Sequence, residues 1–226
     1  MVYRLGVEDI EPNHWVAWAF DLPGCYSAAR NQEDAIANAP LRIAQYLEWL
    51  SNHNYRAARA VEAIDVEVGE SFRSFISEGD YIVNAFFEDD RRTLGSDEVS
   101  HALWLLECTR TDLLQVIQPL SPERLDRPIR GEVQGSIHGI LKHVVWAEWW
   151  YFDRLGLAFN EEQMPEGIMS MLEKSRTHTH RQLPELVNHT NIMTRIGEQW
   201  SARKIVRRTL WHERAHTKQI IRYLKQ

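Results

Sequence analysis

A chain of 226 residues, 44% of them hydrophobic, can bury one or two substantial cores. Residues 1–95 hold 8 Arg, no Lys and 16 acidic residues, a net of −8, whereas residues 96–226 hold 18 basic and 16 acidic residues, a net of +2. The acidic first half argues against a nucleic-acid partner, since non-specific affinity comes mainly from neutralising phosphates. The two cysteines, Cys25 and Cys108, fall in different halves. They exclude a disulfide framework and a C-x-x-C pair, and fit a reducing compartment. No basic n-region with an apolar core opens the chain and no apolar run approaches a membrane span. A cytoplasmic protein without a membrane partner is expected.

In chain order, Val2–Val7 and His14–Asp21 read as strands joined by a turn at Glu11-Pro12-Asn13. Asn31 followed by Glu33 and Asp34 marks a helix start, and Ile36, Ile43, Tyr46, Leu47 and Leu50 recur at helical spacing from Ala35 to Leu50. Ala63–Val68 and Tyr81–Phe87 are expected to be two further strands. These elements make a small α+β domain over residues 1–95, with the texture changing across residues 89–97.

Beyond that junction the pattern is helical. Asp97 or Ser96 is positioned to cap a helix to about Gln118, which Pro119 and Ser121-Pro122 end. Ser136 opens a second helix through Leu155, stopped by Gly156. A third is expected from about Pro165 to Asn188, with Pro184 near its end, and a fourth from about Ile196 to Tyr223. Four helices of similar length with modest loops predict an all-α antiparallel four-helix bundle over residues 96–226, a fold whose sites are built from side chains on facing helices.

The chemistry concentrates in three histidines. His212 and His216 are four residues apart, a little over one helical turn, so both imidazoles project from one face. Ile205, Thr209, His212, His216 and Tyr223 form one stripe, completed to an inward face by Val206, Leu210, Ile220 and Leu224. On the second helix His143 shares a stripe with Ile140, Val144, Ala147 and Tyr151. Buried imidazoles each need a hydrogen-bond solution, so three facing inward on two helices raise a metal site to stand level with structural or pH-sensing core histidines, and the residues alone leave both open.

The string His212-Glu213-Arg214-Ala215-His216 also matches the H-E-x-x-H pattern of zinc proteases. Only ten residues follow His216, too few for a distant third ligand, and Gln219 and Arg222 occupy the metzincin Gly and His positions. Glu213 is better read as a neighbour of the site and a partner for surrounding arginines. His138 falls on another face or in the helix start, and His178 and His180 read as solvent-exposed. His189 belongs to a loop, and His14, His53 and His101 stand alone. Trp146, Trp149 and Trp150 span several helix faces; packing, with contact to the first domain or to a second subunit of a homodimer, is favoured over a wall around a metal pocket. Residues 195–226 hold nine basic and two acidic residues, a solvated face that also suits an anionic co-substrate.

Residues 96–226 resemble the DinB superfamily of four-helix bundles. The resemblance rests on Leu141-Lys-His143-Val-Val-Trp-Ala-Glu148-Trp-Trp-Tyr-Phe and on His212-x-x-x-His216-x-x-Gln219-Ile220. It implies one divalent metal, zinc or nickel, on His143, His212 and His216. It also implies activity of the kind seen in thiol-dependent transferases or isomerases that use a low-molecular-weight thiol. Residues 1–93 resemble the HicB-like antitoxin domain through Trp15-Val-Ala-Trp-Ala-Phe-Asp21-Leu-Pro-Gly24-Cys25-Tyr-Ser and Glu33-Asp34-Ala-Ile-Ala-Asn38-Ala. Here that half is read as an accessory or assembly module.

Two functions stand at this point. One is a metal-dependent enzyme acting on a small-molecule substrate, with three protein ligands and an open position, the pattern of catalytic zinc. A thiol transferase is its favoured form and a metal-dependent hydrolase a lesser one. The other is a non-catalytic metal-binding or regulatory protein whose first domain binds a partner. A fourth protein ligand favours the second; an apolar pocket at the metal favours the first.

Overall fold

The computed structural model describes residues 1–55 and 63–225. They divide into two compact units, one of residues 1–92 with 194–200, the other of residues 93–193 with 201 onward. The sequence places all of 96–226 in one domain; the structure returns seven of those residues to the first unit. No helix among the described residues is long and apolar enough to cross a membrane.

In the first unit β1 (Val2–Glu11), β2 (His14–Ala19), β3 (Tyr26–Ala29) and β4 (Asp65–Arg73) form one sheet in the order β3-β2-β1-β4. β2 pairs antiparallel with β1 and with β3, and β4 lies parallel to β1. Asn13 takes the positive φ of the β1–β2 turn. Leu5, Val7, Val16 and Trp18 are buried, and Glu8 sits among them as an acceptor for Trp18 Nε1 (2.9 Å) and Ala85 N (2.7 Å). The helix expected from Ala35 to Leu50 is two helices, α1 (Gln32–Ala37), capped by Asn31, and α2 (Ala39–Asn52). Pro40 lacks the N–H a continuous helix needs, so the chain restarts at Asn38 with Pro in the first turn.

Leu22-Pro-Gly-Cys is a tight turn, with Gly24 at φ 80°, and the strand β3 that follows it was not expected. β4 begins and ends later than expected. Within Tyr81–Phe87 only β6 (Ile82–Val83) is a strand, paired with β5 (Phe75–Ile76).

The second unit carries α3 (Ser96–Ile117), the short α4 (Pro122–Asp126), α5 (Ile137–Arg154), α6 (Ile168–Gln182) and α7 (Ala202–Leu224). α7 packs against α3 and α5, and α5 against α6. Leu113, Ile117, Ile137, Ile140, Leu141, Val145, Met171, Leu172 and Ile220, drawn from these four long helices, form one apolar cluster. Ser136 caps α5 as expected, and Ser201 caps α7. α3 is opened not by Asp97 or Ser96 but by Gly95, whose N–H donates to Glu98 Oε2 at 2.9 Å.

α6 is shorter than expected at both ends. Gly167, at φ 86°, precedes it, and the chain tightens into a 3-10 turn, Leu183–Leu186, at Pro184. α7 starts six residues later than expected because β7 (Met193–Arg195) and β8 (Glu198–Trp200) form a hairpin. Ile196 and Gly197 both take positive φ, the geometry of a two-residue hairpin turn whose twist matches its strands.

Candidate metal centre

α5 and α7 place the three histidines together. His143 Nε2 lies 3.0 Å from His212 Nε2, which lies 3.2 Å from His216 Nε2. One ligating nitrogen from each falls within 4.8 Å of the others. Four ligand atoms around a tetrahedral zinc, each about 2.0–2.1 Å from the ion, stand about 3.3 Å apart, so the separations suit a shared ion. His212 is buried, and His143 and His216 are half-buried.

The tautomer of His216 follows from its neighbours. Gln219 Nε2 donates to Glu132 Oε2 at 2.7 Å, which turns the amide oxygen toward His216 Nδ1 at 2.6 Å. That oxygen only accepts, so Nδ1 carries the proton and Nε2 presents its lone pair toward His212. Tyr223 donates to the same Glu132 oxygen at 2.5 Å. Burial opposes ionisation of Glu132, but bonds from Tyr223, Gln134 N–H and Gln219 outweigh it and lower its pKa.

Glu132 reaches this position because of Gly139. A Cβ there would stand 1.8 Å from Gln134 O, so only glycine lets the 129–135 loop lie across the first turn of α5. Burial, then His216 and His143, push His212 well below its ordinary pKa. Burial likewise takes His216 down to about 4, against the opposing bond to Gln219. Both are neutral at pH 7, and protons compete little for their lone pairs.

Beside His212 lies a narrow cleft lined by Val144, Glu148, Tyr151, Thr209, His212 and Glu213. Thr209 Oγ1 is buried with no hydrogen-bond partner among the described residues. Glu148 and Glu213 belong to a second buried arrangement. Arg110 Nη2 bonds Glu148 Oε2 at 3.0 Å, and its Nε and Nη2 hold Glu213 at 3.0 and 3.1 Å. Arg176 Nε bonds Glu148 Oε1 at 3.0 Å, and its Nη2 bonds Glu213 Oε2. Ser175 and Thr179 hydroxyls also donate to Glu148. Burial alone would raise Glu148, but Arg176 and Arg110 outweigh it and hold it at about 2. Burial would lower Arg110, yet Glu213 and Glu148 raise it.

Glu213 pairs with arginines, as expected, and the partners shown are Arg110 of α3 and Arg176 of α6. Glu132, Arg110, Glu148 and Arg176 were not anticipated. Arg110 and Arg176 do leave a trace, each interrupting an apolar stripe (Leu106, Leu113, Ile117; Leu172, Leu183). Glu132 lies in a loop, where periodicity says nothing.

His138 is near the start of α5, its Nδ1 2.6 Å from Asp126. His178 corrects the expectation of exposure: it is buried edge-on against Phe152 and Phe159, with Nε2 2.8 Å from Leu157 O. The inward face of α6 is wider than its charged sequence suggests. His180 is one-third exposed beside Glu107. Trp146, Trp149 and Trp150 are all half-buried. Comparison of the chain with protein-family models, curated proteins and solved structures returns no match.

Proposed function

We propose that this is a metal-dependent enzyme of the DinB-like kind. His143, His212 and His216 hold one zinc or nickel ion, and α3, α5, α6 and α7 make an antiparallel four-helix bundle around it. The observation that carries the reading is the convergence of three imidazole Nε2 atoms from two helices at 3.0 and 3.2 Å. The group has three members and, among the described residues, no Cys, Asp or Glu joins it, which favours the open coordination of a catalytic site over a closed structural one. Such an ion, when bound, lowers the pKa of a thiol or water and presents it as a nucleophile.

The surrounding residues have their own parts in this reading. Glu132 and Gln219 keep the His216 proton on Nδ1. Tyr151 and Val144 exclude water beside His212. Thr209 offers a hydroxyl with no partner among the described residues, a rare state for a buried group unless something else bonds it. The favoured reaction is transfer of a low-molecular-weight thiol to a small electrophilic substrate, with residues 1–92 as an accessory module.

The test is elemental analysis of protein purified without a His-tag, followed by a screen of thiols against electrophilic acceptors. One divalent metal per chain is expected. His212→Ala and His216→Ala should abolish it, and His143→Ala should weaken binding by orders of magnitude, because a two-histidine site is poor. His138→Ala, whose ring faces Asp126, should do little. Protein that carries no metal and accepts none sinks the proposal; metal without turnover for any thiol leaves a binding protein instead of an enzyme.

A further inference from the structure

Arg110, Glu148, Arg176 and Glu213 come one from each of α3, α5, α6 and α7, and they close a ring. Each arginine bonds both glutamates and each glutamate accepts from both arginines. All four side chains are buried and their charges sum to zero. The arginines also cross-tie backbones: Arg110 Nη1 donates to Leu172 O of α6, and Arg176 Nη1 to Leu106 O of α3. Glu213 follows His212 directly in α7, Glu148 lies in α5 with His143, and both glutamates line the cleft beside His212.

We infer that this four-residue ring is the positioning device of the histidine centre, fixing the axial register of α5 against α7 so that His143 meets His212 and His216. The inference rests on the histidines acting as one site. Replacing a buried ion pair by apolar residues of similar volume is often neutral or stabilising, so stability alone is a weak reason for this ring, whereas its directional bonds add a constraint on register. A fork of arginine bonds to carboxylates on both helices permits one relative height; a slide along either axis breaks several bonds at once. The two glutamates and two arginines are therefore positioning residues that act on the site through the backbones carrying its histidines.

The test needs a change of geometry without a change of charge. Glu148→Asp keeps the carboxylate but shortens its reach by one methylene. Three quantities are compared with wild type: Co2+ affinity by chelator competition, the visible spectrum of the cobalt protein, and the imidazole nitrogen resonances of His143 and His212 in metal-free protein. Leu183→Ala, a buried truncation just beyond α6, controls for general loosening.

Glu148→Asp should retain helical circular dichroism, lose about tenfold to a hundredfold in Co2+ affinity, alter the cobalt spectrum and shift both histidine signals. Leu183→Ala should melt at least as early while leaving all three unchanged. Replacing the whole ring (Arg110→Met, Glu148→Leu, Arg176→Met, Glu213→Leu) should give the same signature if it folds. Unchanged affinity and histidine signals in Glu148→Asp, or equal losses in Leu183→Ala, overturn the inference. If wild-type protein binds no Co2+, the metal reading fails, and the metal-free histidine signals still decide the role of the ring.

Discussion

The placement of one proton bears on what the histidine cluster can do. On His216 the Nδ1 proton is fixed by Gln219, whose own amide is oriented by Glu132, so a carboxylate that never touches the cluster sets the direction of a lone pair. Gln219→Leu should keep the helix and lower divalent-metal affinity about 10–100-fold, the usual cost of losing an outer partner; isothermal titration would show it, and an unchanged affinity would remove Gln219 from the site. The pH dependence of the metal-free protein follows from the same neighbourhood. His216 has a folded pKa of about 4 against an ordinary 6.5, so the folded state binds fewer protons between those values. Stability should be full above about pH 6.5 and decline as pH falls through 4. Glu148, at about 2 against 4.5, adds a second loss that begins near pH 4.5 and runs down toward 2. Urea midpoints measured across pH 7 to 2.5 should trace both steps; a flat profile from pH 7 to 4 would contradict the neutral, buried histidines.

At the scale of elements, the site depends on how a loop meets a helix. Gly139 has no room for a side chain against Gln134 O, and the loop it admits carries Glu132 to Gln219 and Tyr223. Gly139→Ala should therefore act twice. Overpacking should cost about 1–3 kcal/mol in chemical denaturation, and displacement of Glu132 should weaken metal binding in proportion to Gln219→Leu. A loss of stability with full metal affinity would separate the loop from the site. The histidine pair was legible in the sequence because spacing by four is decided within one helix. From its own helix pattern His143 was legible only as an inward-facing residue, and its place beside the pair came from the resemblance, since that meeting depends on two helices docking at matching height. Arg110 and Arg176 read as breaks in apolar stripes, and no local rule says that such breaks complete one another. The end of α6 and the start of α7 were misplaced for a related reason: the 193–200 hairpin is built by backbone conformation at Ile196 and Gly197, not by hydrophobic period.

For the whole molecule, the change of texture near residue 92 was legible from composition, but the return of the chain to the first unit was not. Tyr81 donates to the buried Glu198, Arg91 Nη2 reaches Gln199 at 3.4 Å, and a Cβ at Gly197 would stand 3.1 Å from Ser77 Oγ. The first unit is thus assembled from two stretches of sequence that are separated by more than a hundred residues. No single cut can release it. A fragment of residues 1–92 carries the whole four-stranded sheet yet leaves Tyr81 without its carboxylate, so it should melt well below the corresponding transition of the full chain; equal melting by circular dichroism would show the hairpin to be dispensable. In evolutionary terms, such a chain cannot gain or lose its first module by one clean exchange at the boundary. The α6–α7 connection has to change with it, and the module and the helices that carry the histidines are bound to be inherited together.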